Sequence, residues 1–502
     1  MDPTSVSISF SEGSASEIQG TSGIKIAHNI ILTNGILLKS KLHKNNNLLE
    51  FIKNIKPNEL LNITNDDLRV RIMSPIKNLQ SNNNINEKIG EIIYTWRCPL
   101  LADTIDTLFN SWKFSEKYNS IDKILLSCFL IISIDIPQDI QKINVNYINS
   151  CLNNLLSTCL MIDQPNKGDN ILIESTPFGN PVFIDSISCG IASNILGIQQ
   201  CLVLTDATAV PGCEGGPVYV IKNKKNFFFG IVIAPMSWCR GEWVEYTLVA
   251  CLTICLSTIL NYKKKDIIQK KFIDNKDIQL SEILDKNVVL IRCGAEWGSG
   301  ILLDKKTGTI LTCSHVVSQA PEQRIKVVLH DDKTIIKKNI WAKLIYRTPN
   351  GLPYDIAVLN IDSSVIDPTL RSLTIANDNA KKGETVIAAG FPFFSSTLPT
   401  ITRGNISSVS INMIQTTCCV QSGASGGPIV RPSTGELLGI IVCNVITSTT
   451  LYPKLNMAIP ASIIKGPIDE YINTGCVKAL ESLTSQEIST EKAWNFHLPS
   501  KI

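Results

Sequence analysis

From residue 286 onward the apolar positions come in short runs, "NVVLIRCG", "GILLD", "TILTCS", "IKVVLHD", "DIAVLNID", "ETVIAAGF" and "ELLGIIVCNV", each bounded by Gly, Asp, Asn or Pro. Runs of this length, rich in Val, Ile and Thr and lacking a 3.6-residue period, predict strands. Many of them separated by turn residues predict an all-β barrel or sandwich.

The same pattern occurs earlier in the chain, in the same order. "KGDNILIESTPFG" (167–179) answers "KGETVIAAGFPFF" (382–394), and "SCGIASNI" (188–195) answers "TRGNISSV" (402–409). "LTDATAVPGCEGGPVY" (204–219) answers "QTTCCVQSGASGGPIV" (415–430), and "LVACLTICLS" (248–257) answers "MAIPASIIKG" (457–466). Matched blocks in one order predict a duplicated barrel-pair domain. The expected organisation is an N-terminal copy over 1–262, a charged linker over 263–285, a second copy over 286–475 and a tail over 476–502. The Asn clusters between 43 and 90 mark an insertion in the first copy, expected as an exposed loop.

A length of 502 residues accommodates two cores. The net charge of +3 is small, and lysine clusters such as Lys263-Lys264-Lys265 are short, so no nucleic-acid or membrane-surface partner is expected. The most apolar run, "TLVACLTICLSTIL" (247–260), is shorter than a membrane helix and has a soluble counterpart in the repeat, so it is expected in a core. The first residues, "MDPTSVSISFSEGSASEIQG", lack a basic region followed by an apolar one. The sixteen cysteines are therefore expected as reduced thiols of an intracellular compartment. They form no C-x-x-C pair, so no metal is expected, and nothing calls for a cofactor.

Cleaving a peptide by acyl transfer needs a nucleophile, a base, a group that orients the base, and donors for the oxyanion. Ser425 lies in Gly-Ala-Ser-Gly-Gly-Pro. The flanking glycines permit the tight turn that presents Oγ and aims the amides of Gly423 and Ser425 at one point, an oxyanion hole. The chain has five histidines, of which His315 and His330 lie within the second copy. His315 follows an apolar strand in "GTILTCSHVV", while His330, in "VVLHDDK", suits a solvated strand end. The order His, Asp, Gly-x-Ser-Gly-Gly selects His315 as the base. Asp355 opens the apolar run "YDIAVLNID", where an aspartate is costly to bury unless it is hydrogen-bonded, so it is the candidate for orienting His315. Asp331, Asp332 and Asp362 read as surface carboxylates. Cys419, close upstream of Ser425, is a candidate wall residue of the primary specificity pocket.

The blocks "GSGILLD…GTILTCSHVV", "YDIAVL", "ITRGNISSV" and "SGASGGPIV" resemble the HtrA/Deg branch of chymotrypsin-fold serine proteases. The resemblance implies tandem chymotrypsin-like double β-barrel domains, and a triad of His315, Asp355 and Ser425 in the second. It differs from that branch in having about thirty residues after the barrels, too few for a PDZ domain, and in Thr416-Thr417-Cys418 where the branch shows Thr-Asp-Ala. The first copy keeps "TDA" at 205–207. The last residues, Ser500, Lys501 and Ile502, differ by one conservative step from a peroxisomal address.

Together these features resemble the Deg-type processing proteases of peroxisomes, glyoxysomes in plants. That resemblance implies a peroxisomal matrix endopeptidase that removes leader peptides and processes enzymes of fatty-acid β-oxidation. Its partners would be leader-bearing precursors and the import receptor that reads the C-terminal tripeptide, and a homo-oligomer stays open. Two other readings compete: a general HtrA-like quality-control protease, and a binding module in which both copies are pseudo-proteases.

The first copy is degenerate. Glu214 in "PGCEGGP" stands opposite Ser425, Ile36 opposite His315, and Ser127 or Cys128 opposite Asp355. Cys213 is not expected to act as a nucleophile, because no histidine stands beside it.

Overall fold

The computed structural model describes residues 3–10, 20–42, 45–63, 68–75, 85–109, 120–134, 143–161, 164–239, 242–262, 280–320, 322–329, 338–368, 370–392, 398–446, 451–484 and 487–494. His330, Asp331, Asp332, Lys263-Lys264-Lys265 and Ser500-Lys501-Ile502 lie outside them. The chain divides into two compact units, one comprising Met1–Gly241 with Glu245–Asp274, the other Glu242–Val244 with Asn275–Ile502.

The first unit opens with strands β1 (Thr4–Phe10), β2 (Gly20–Ala27), β3 (Ile30–Asn34), β4 (Leu61–Asn62), β5 (Arg69–Pro75), β6 (Ile85–Arg97) and β7 (Cys128–Ile134). Their order is β4-β6-β5-β1-β2-β3-β7, and a β6–β7 pairing closes six of them into a barrel with β4 on its edge. A second closed barrel follows from β8 (Asn170–Ser175), β9 (Ser186–Leu196), β10 (Leu202–Thr205), β11 (Pro217–Lys222), β12 (Lys225–Cys239) and β13 (Glu242–Cys251).

The second unit repeats this plan. Strands β14 (Val288–Cys293), β15 (Glu296–Asp304), β16 (Thr309–Thr312), β17 (Ile325–Leu329), β18 (Lys338–Arg347) and β19 (Ala357–Asn360) close in the order β14-β15-β16-β19-β18-β17. Strands β20 (Thr385–Gly390), β21 (Thr400–Val409), β22 (Ile414–Thr416), β23 (Pro428–Val430), β24 (Leu437–Ile446) and β25 (Leu451–Pro460) close in the order β20-β21-β22-β25-β24-β23. Read from their first strands, the first and third barrels share one ring order, as do the second and fourth. The framework is mostly β, four barrels in two double-barrel pairs, and closure leaves no unpaired sheet edge in a ring.

The expectation of an exposed loop over 43–90 is overturned. Asn46–Lys53 is a helix capped by the Asn45 side chain, with Leu48 and Ile52 buried. Strand β5 and the first residues of β6 also fall in this stretch, and Leu68, Val70 and Ile72 join the core of the first barrel. β5 and β6 fill the ring places of β17 and β18. Their polar residues alternate with core residues along the strands, and this alternation makes the stretch look like a loop when only composition is read.

The segment read as a tail is also folded in part. Val477–Leu483 is a 3-10 turn and Ile488–Trp494 a helix, and the Tyr346 hydroxyl is hydrogen-bonded to Thr484. Leu280–Asn287 is likewise a helix, which leaves 263–279 of the expected linker outside the described residues.

Helix Val145–Cys159 in the first unit was not foreseen. It buries Ile148, Cys151, Leu152, Leu155, Leu156 and Cys159, an i, i+3, i+4, i+7, i+8, i+11 stripe, and Asn144 caps its start. The apolar run at 247–260 forms the end of β13 and the helix Leu252–Ile259, just as β25 leads into the helix Ala461–Thr474. Among the described residues no helix is long and apolar enough to cross a membrane, and the described cysteines with placed side chains are free thiols.

Candidate active site

His315 leaves the end of β16 on a short 3-10 turn, which is pinned where Ser314 Oγ donates to the Thr348 carbonyl at 2.7 Å. Asp355 sits two residues before β19, the antiparallel neighbour of β16. This pairing brings them together. One carboxylate oxygen of Asp355 accepts the His315 backbone N–H at 2.9 Å, and the other lies 2.5 Å from His315 Nδ1. Asp355 is buried and His315 half-buried. A carboxylate fixed on Nδ1 holds the proton there and leaves Nε2 as the acceptor, the form a general base requires. Asp362 instead caps the turn at Ser363, remote in role from His315.

The helix Ile488–Trp494 supports this pair. Trp494 packs edge-on to Tyr354, the residue before Asp355, at a centroid distance of 6.5 Å, and its Nε1 donates to the Asn412 carbonyl at 3.0 Å. Tyr354 itself donates to Asn412 Oδ1 at 2.9 Å.

Ser425 comes from the fourth barrel, just before β23. Its loop is anchored by Ser299: Ser299 Oγ donates to the Gly423 carbonyl at 2.7 Å and accepts the Phe391 N–H at 2.9 Å, while Ser299 N donates to the Ser425 carbonyl at 2.8 Å. Gly423 has φ +89°, and a Cβ there would sit 2.4 Å from both the Phe391 carbonyl oxygen and Trp297 Nε1, so no other residue fits. The turn leaves the Gly423 and Ser425 amides without an acceptor among the described residues, although the amides of Ala424, Gly426 and Gly427 beside them are bonded. Two adjacent free donors beside a hydroxyl make an anion cradle. The Ser425 hydroxyl donates to the Val442 carbonyl at 3.1 Å and forms no hydrogen bond with His315.

Cys419 is buried, accepts a weak hydrogen bond from Gln421 Nε2 at 3.8 Å, and its carbonyl accepts from Thr402. The Thr417 hydroxyl accepts the Asn405 N–H at 2.9 Å, the bond that Asp206 makes to Ile191 N at 2.7 Å in the first unit. The Thr-Thr-Cys departure therefore keeps this contact. Cys313, His315 and Asp355 form a group whose potential ligand atoms lie within 4.8 Å of one another. His315 and Asp355 are committed to each other, and the Cys313 thiol donates to the Ile441 carbonyl at 3.2 Å.

The degenerate loop in the first unit has the same scaffold. Ser22 Oγ donates to the Gly212 carbonyl and accepts the Thr176 N–H, and Ser22 N donates to the Glu214 carbonyl. Thr33 repeats the bond of Thr312 to the anchoring serine's carbonyl. Gly212 and Gly215 have φ +99° and +83°, as Gly423 and Gly426 have +89° and +85°.

The side chains differ. Glu214 curls back so that its carboxylate accepts the Gly212 amide at 2.7 Å, filling the place that is open at Gly423. Burial pushes the Glu214 carboxyl above its usual range, against the pull of its own and the Gly212 amides. The Thr33–Thr312 match sets Ile36 opposite His315. The β3–β7 and β16–β19 registers pair Thr33 with Leu130 and Thr312 with Ala357, which sets Cys128 rather than Ser127 opposite Asp355. Burial pushes the Cys128 thiol up to about 12. Cys213 is also buried, accepts from Ser175 Oγ at 3.2 Å, and burial raises its thiol, which opposes a nucleophilic role.

Residues 298–440 match the trypsin-like peptidase domain family. The human peroxisomal leader peptide-processing protease is 30% identical over 363 residues, covering 66% of this chain and 61% of its own length, and the mouse protein of the same name is also 30% identical. The chain thus spans about three fifths of the length of these two relatives. The Escherichia coli periplasmic serine endoprotease DegP is 29% identical over 39% of this chain and 40% of its own. Among solved structures, a serine endoprotease from Yersinia pestis is 28% identical, covering 39% of this chain and 66% of its own, with a TM-score of 0.32.

Proposed function

Since residues 298–440 form a trypsin-like peptidase domain, we propose that the protein is a serine endopeptidase in which His315, Asp355 and Ser425 act as the triad. The observation that carries this reading is the grip of Asp355 on both the backbone and Nδ1 of His315, opposite a loop with two open amides. Once the Ser425 hydroxyl turns from Val442 to His315, Nε2 removes its proton as Oγ attacks the scissile carbonyl. The amides of Gly423 and Ser425 receive the developing oxyanion. His315 then returns the proton to the leaving amine, and water, activated by the same imidazole, releases the acyl group.

We assign its substrates as leader-bearing precursors of peroxisomal matrix proteins, enzymes of fatty-acid β-oxidation among them, and its location as the peroxisomal matrix. The support is the 66% of the chain matched by the human relative, more than the second unit alone supplies, whereas the match to DegP extends over 39%. We take the working divisions as a pseudo-protease domain over 1–262 and a catalytic domain over 286–475.

Wild-type and Ser425→Ala protein, incubated with a leader-bearing precursor and followed by sequencing of all product N-termini, test this. One discrete new N-terminus from wild type and none from the variant are expected. A ladder of fragments from unfolded casein would favour quality control, and absence of fluorophosphonate labelling at Ser425 would return the chain to a binding role.

A further inference from the structure

The first unit carries a cavity of about 260 Å³ on the outer face of its second barrel. Ile171, Ile173, Val218 and Val220 belong to the core of that barrel, so Glu174 and Tyr219, which alternate with them along β8 and β11, stand on the outside. Glu174, Tyr219, Phe227 and Phe228 line the cavity together with Pro3, just before β1. The Tyr219 hydroxyl donates to the Pro3 carbonyl at 3.0 Å and lies 3.4 Å from Glu174 Oε2, and the Tyr219 and Phe228 rings meet edge-on at 5.9 Å.

The cavity is open to water: Glu174 is half-buried, and Met161, another lining residue, is 78% exposed. Its electrostatics are one-sided. Glu174 is its one carboxylate, and among the described residues no lysine, arginine or histidine lines it. Helix Val145–Cys159 ends here, with Thr158 of its last turn and Met161 just past its cap on the wall, and that last turn carries no basic residue to meet its partial negative charge. The next lysine along β11, Lys222, is paired with Asp169 at 3.3 Å. A carboxylate, a helix C-terminus and three aromatic rings around one opening are surroundings that attract a cation.

The second unit is built differently at the same places. The repeat sets Glu174 opposite Ala389 and Tyr219 opposite Val430, and the β11–β12 and β23–β24 registers set Phe228 opposite Leu437. Ala389, Val430 and Leu437 are all buried, and the Leu437 backbone is bonded to Thr374 and Ala376, a segment that covers this face. Three apolar positions of a covered wall in one copy are thus a carboxylate and two rings around an open cavity in the other. Emptying the triad positions does not call for a carboxylate here.

We propose that this cavity binds a guanidinium or alkylammonium group, with Glu174 as its counterion, the rings of Tyr219, Phe227 and Phe228 as the wall around it, and the carbonyl end of helix Val145–Cys159 as a second source of negative charge. Such a group is carried by a basic side chain of a peptide or by a free amine. At about 260 Å³ the cavity is smaller than the usual pocket for a drug-sized ligand, about 300–1,000 Å³, and suits one such side chain. The degenerate unit then has a ligand of its own.

The test is calorimetric titration of the full-length Ser425→Ala protein, which turns over no peptide, with three probes: an acetylated, amidated Gly-Gly-Arg-Gly-Gly peptide, the same peptide with citrulline for Arg, and agmatine. The arginine peptide is expected to bind, and the citrulline peptide, of nearly the same shape without the charge, to bind at least about tenfold more weakly. Glu174→Ala and Phe228→Leu install the residues that the second unit has at these places. They are expected to weaken the arginine peptide by at least about tenfold and about threefold, while Tyr219→Phe, which keeps the ring, stays within about threefold. Glu174→Gln, a near isostere, gives the same reading should Glu174→Ala not fold. Agmatine binding as tightly as the peptide assigns the site to free amines, and tighter binding of the peptide assigns it to protein chains. Equal affinity for the arginine and citrulline peptides, unchanged affinity in the folded Glu174 variants, or no probe bound with a Kd below about 1 mM would overturn the proposal. Because the readout is binding, such a failure leaves the endopeptidase reading untouched.

Discussion

The loops around Glu214 and Ser425 have nearly the same backbone and opposite contents. Both are strung on a serine that ties a glycine carbonyl to an incoming amide, Ser22 in one and Ser299 in the other. Both carry left-handed glycines at matching places. Yet the amide that is open at Gly423 is taken at Gly212 by the carboxylate standing in place of the serine. The turn is thus a packing device in its own right, able to persist once its chemistry has gone. What distinguishes an active loop is which donors are left without a partner.

The comparison breaks most sharply at the nucleophile. Ser425→Ala should reduce kcat/KM for a leader peptide by at least about 10⁴-fold, whereas Glu214→Ala should leave it within about twofold. A large loss from the latter would mean that the first unit takes part in catalysis. Asp355→Asn should cost about 10⁴-fold at neutral pH, the scale known for the same change in a Ser-His-Asp triad, while Cys128→Asn at the matching place should leave turnover unchanged. Steady-state rates on one peptide decide both.

Next come the anchors. Ser299→Ala and Ser22→Ala each strand a buried amide, Phe391 or Thr176, and each should destabilise its own unit by about 1–3 kcal/mol in urea unfolding. Only Ser299→Ala should also lower kcat, by about tenfold, because it loosens Gly423.

The smallest effect concerns Glu214→Gln. Burial raises this carboxyl, so the folded chain holds the proton more tightly than the unfolded one. Its contribution to stability is therefore full below the ordinary carboxyl value near pH 4.3 and is lost as pH rises through the raised folded value. The amide keeps an acceptor for Gly212 without the charge. Its melting midpoint at pH 7 should exceed wild type by about 2 °C, with the gap closing near pH 4; a gap that widens in acid would reverse the assignment.

The parts legible in the sequence were those with local signatures. "SGASGGP" and "PGCEGGP" announce their turns because positive φ leaves glycine little competition, and the strand blocks gave the barrels through their turn residues. The two-residue shift that sets Ile36 against His315 comes from strand register, because the hairpin around Asp304–Thr309 is longer than the one around Ala27–Ile30. Choosing Cys128 over Ser127 needed the strand register, which shifts a side chain to the other face with each residue. Strands β5 and β6 were hidden because Asn clusters flank them and only their inward residues are apolar. The carboxylate of Glu214 lying on Gly212, and the cavity around Glu174 and Tyr219, depend on side-chain direction, which no spacing encodes.

The bond from Ser425 to the Val442 carbonyl has a kinetic consequence. Attack on any electrophile must be preceded by rotation of the hydroxyl, a rapid pre-equilibrium. A neutral hydrogen bond of about 1 kcal/mol leaves roughly one molecule in six released at any moment. A small reagent meets that fraction unaided. Under the proposed mechanism, a peptide whose own N–H took the Val442 carbonyl would displace the serine and meet a fully released population, so the site would respond more readily to an extended chain than to a bare electrophile.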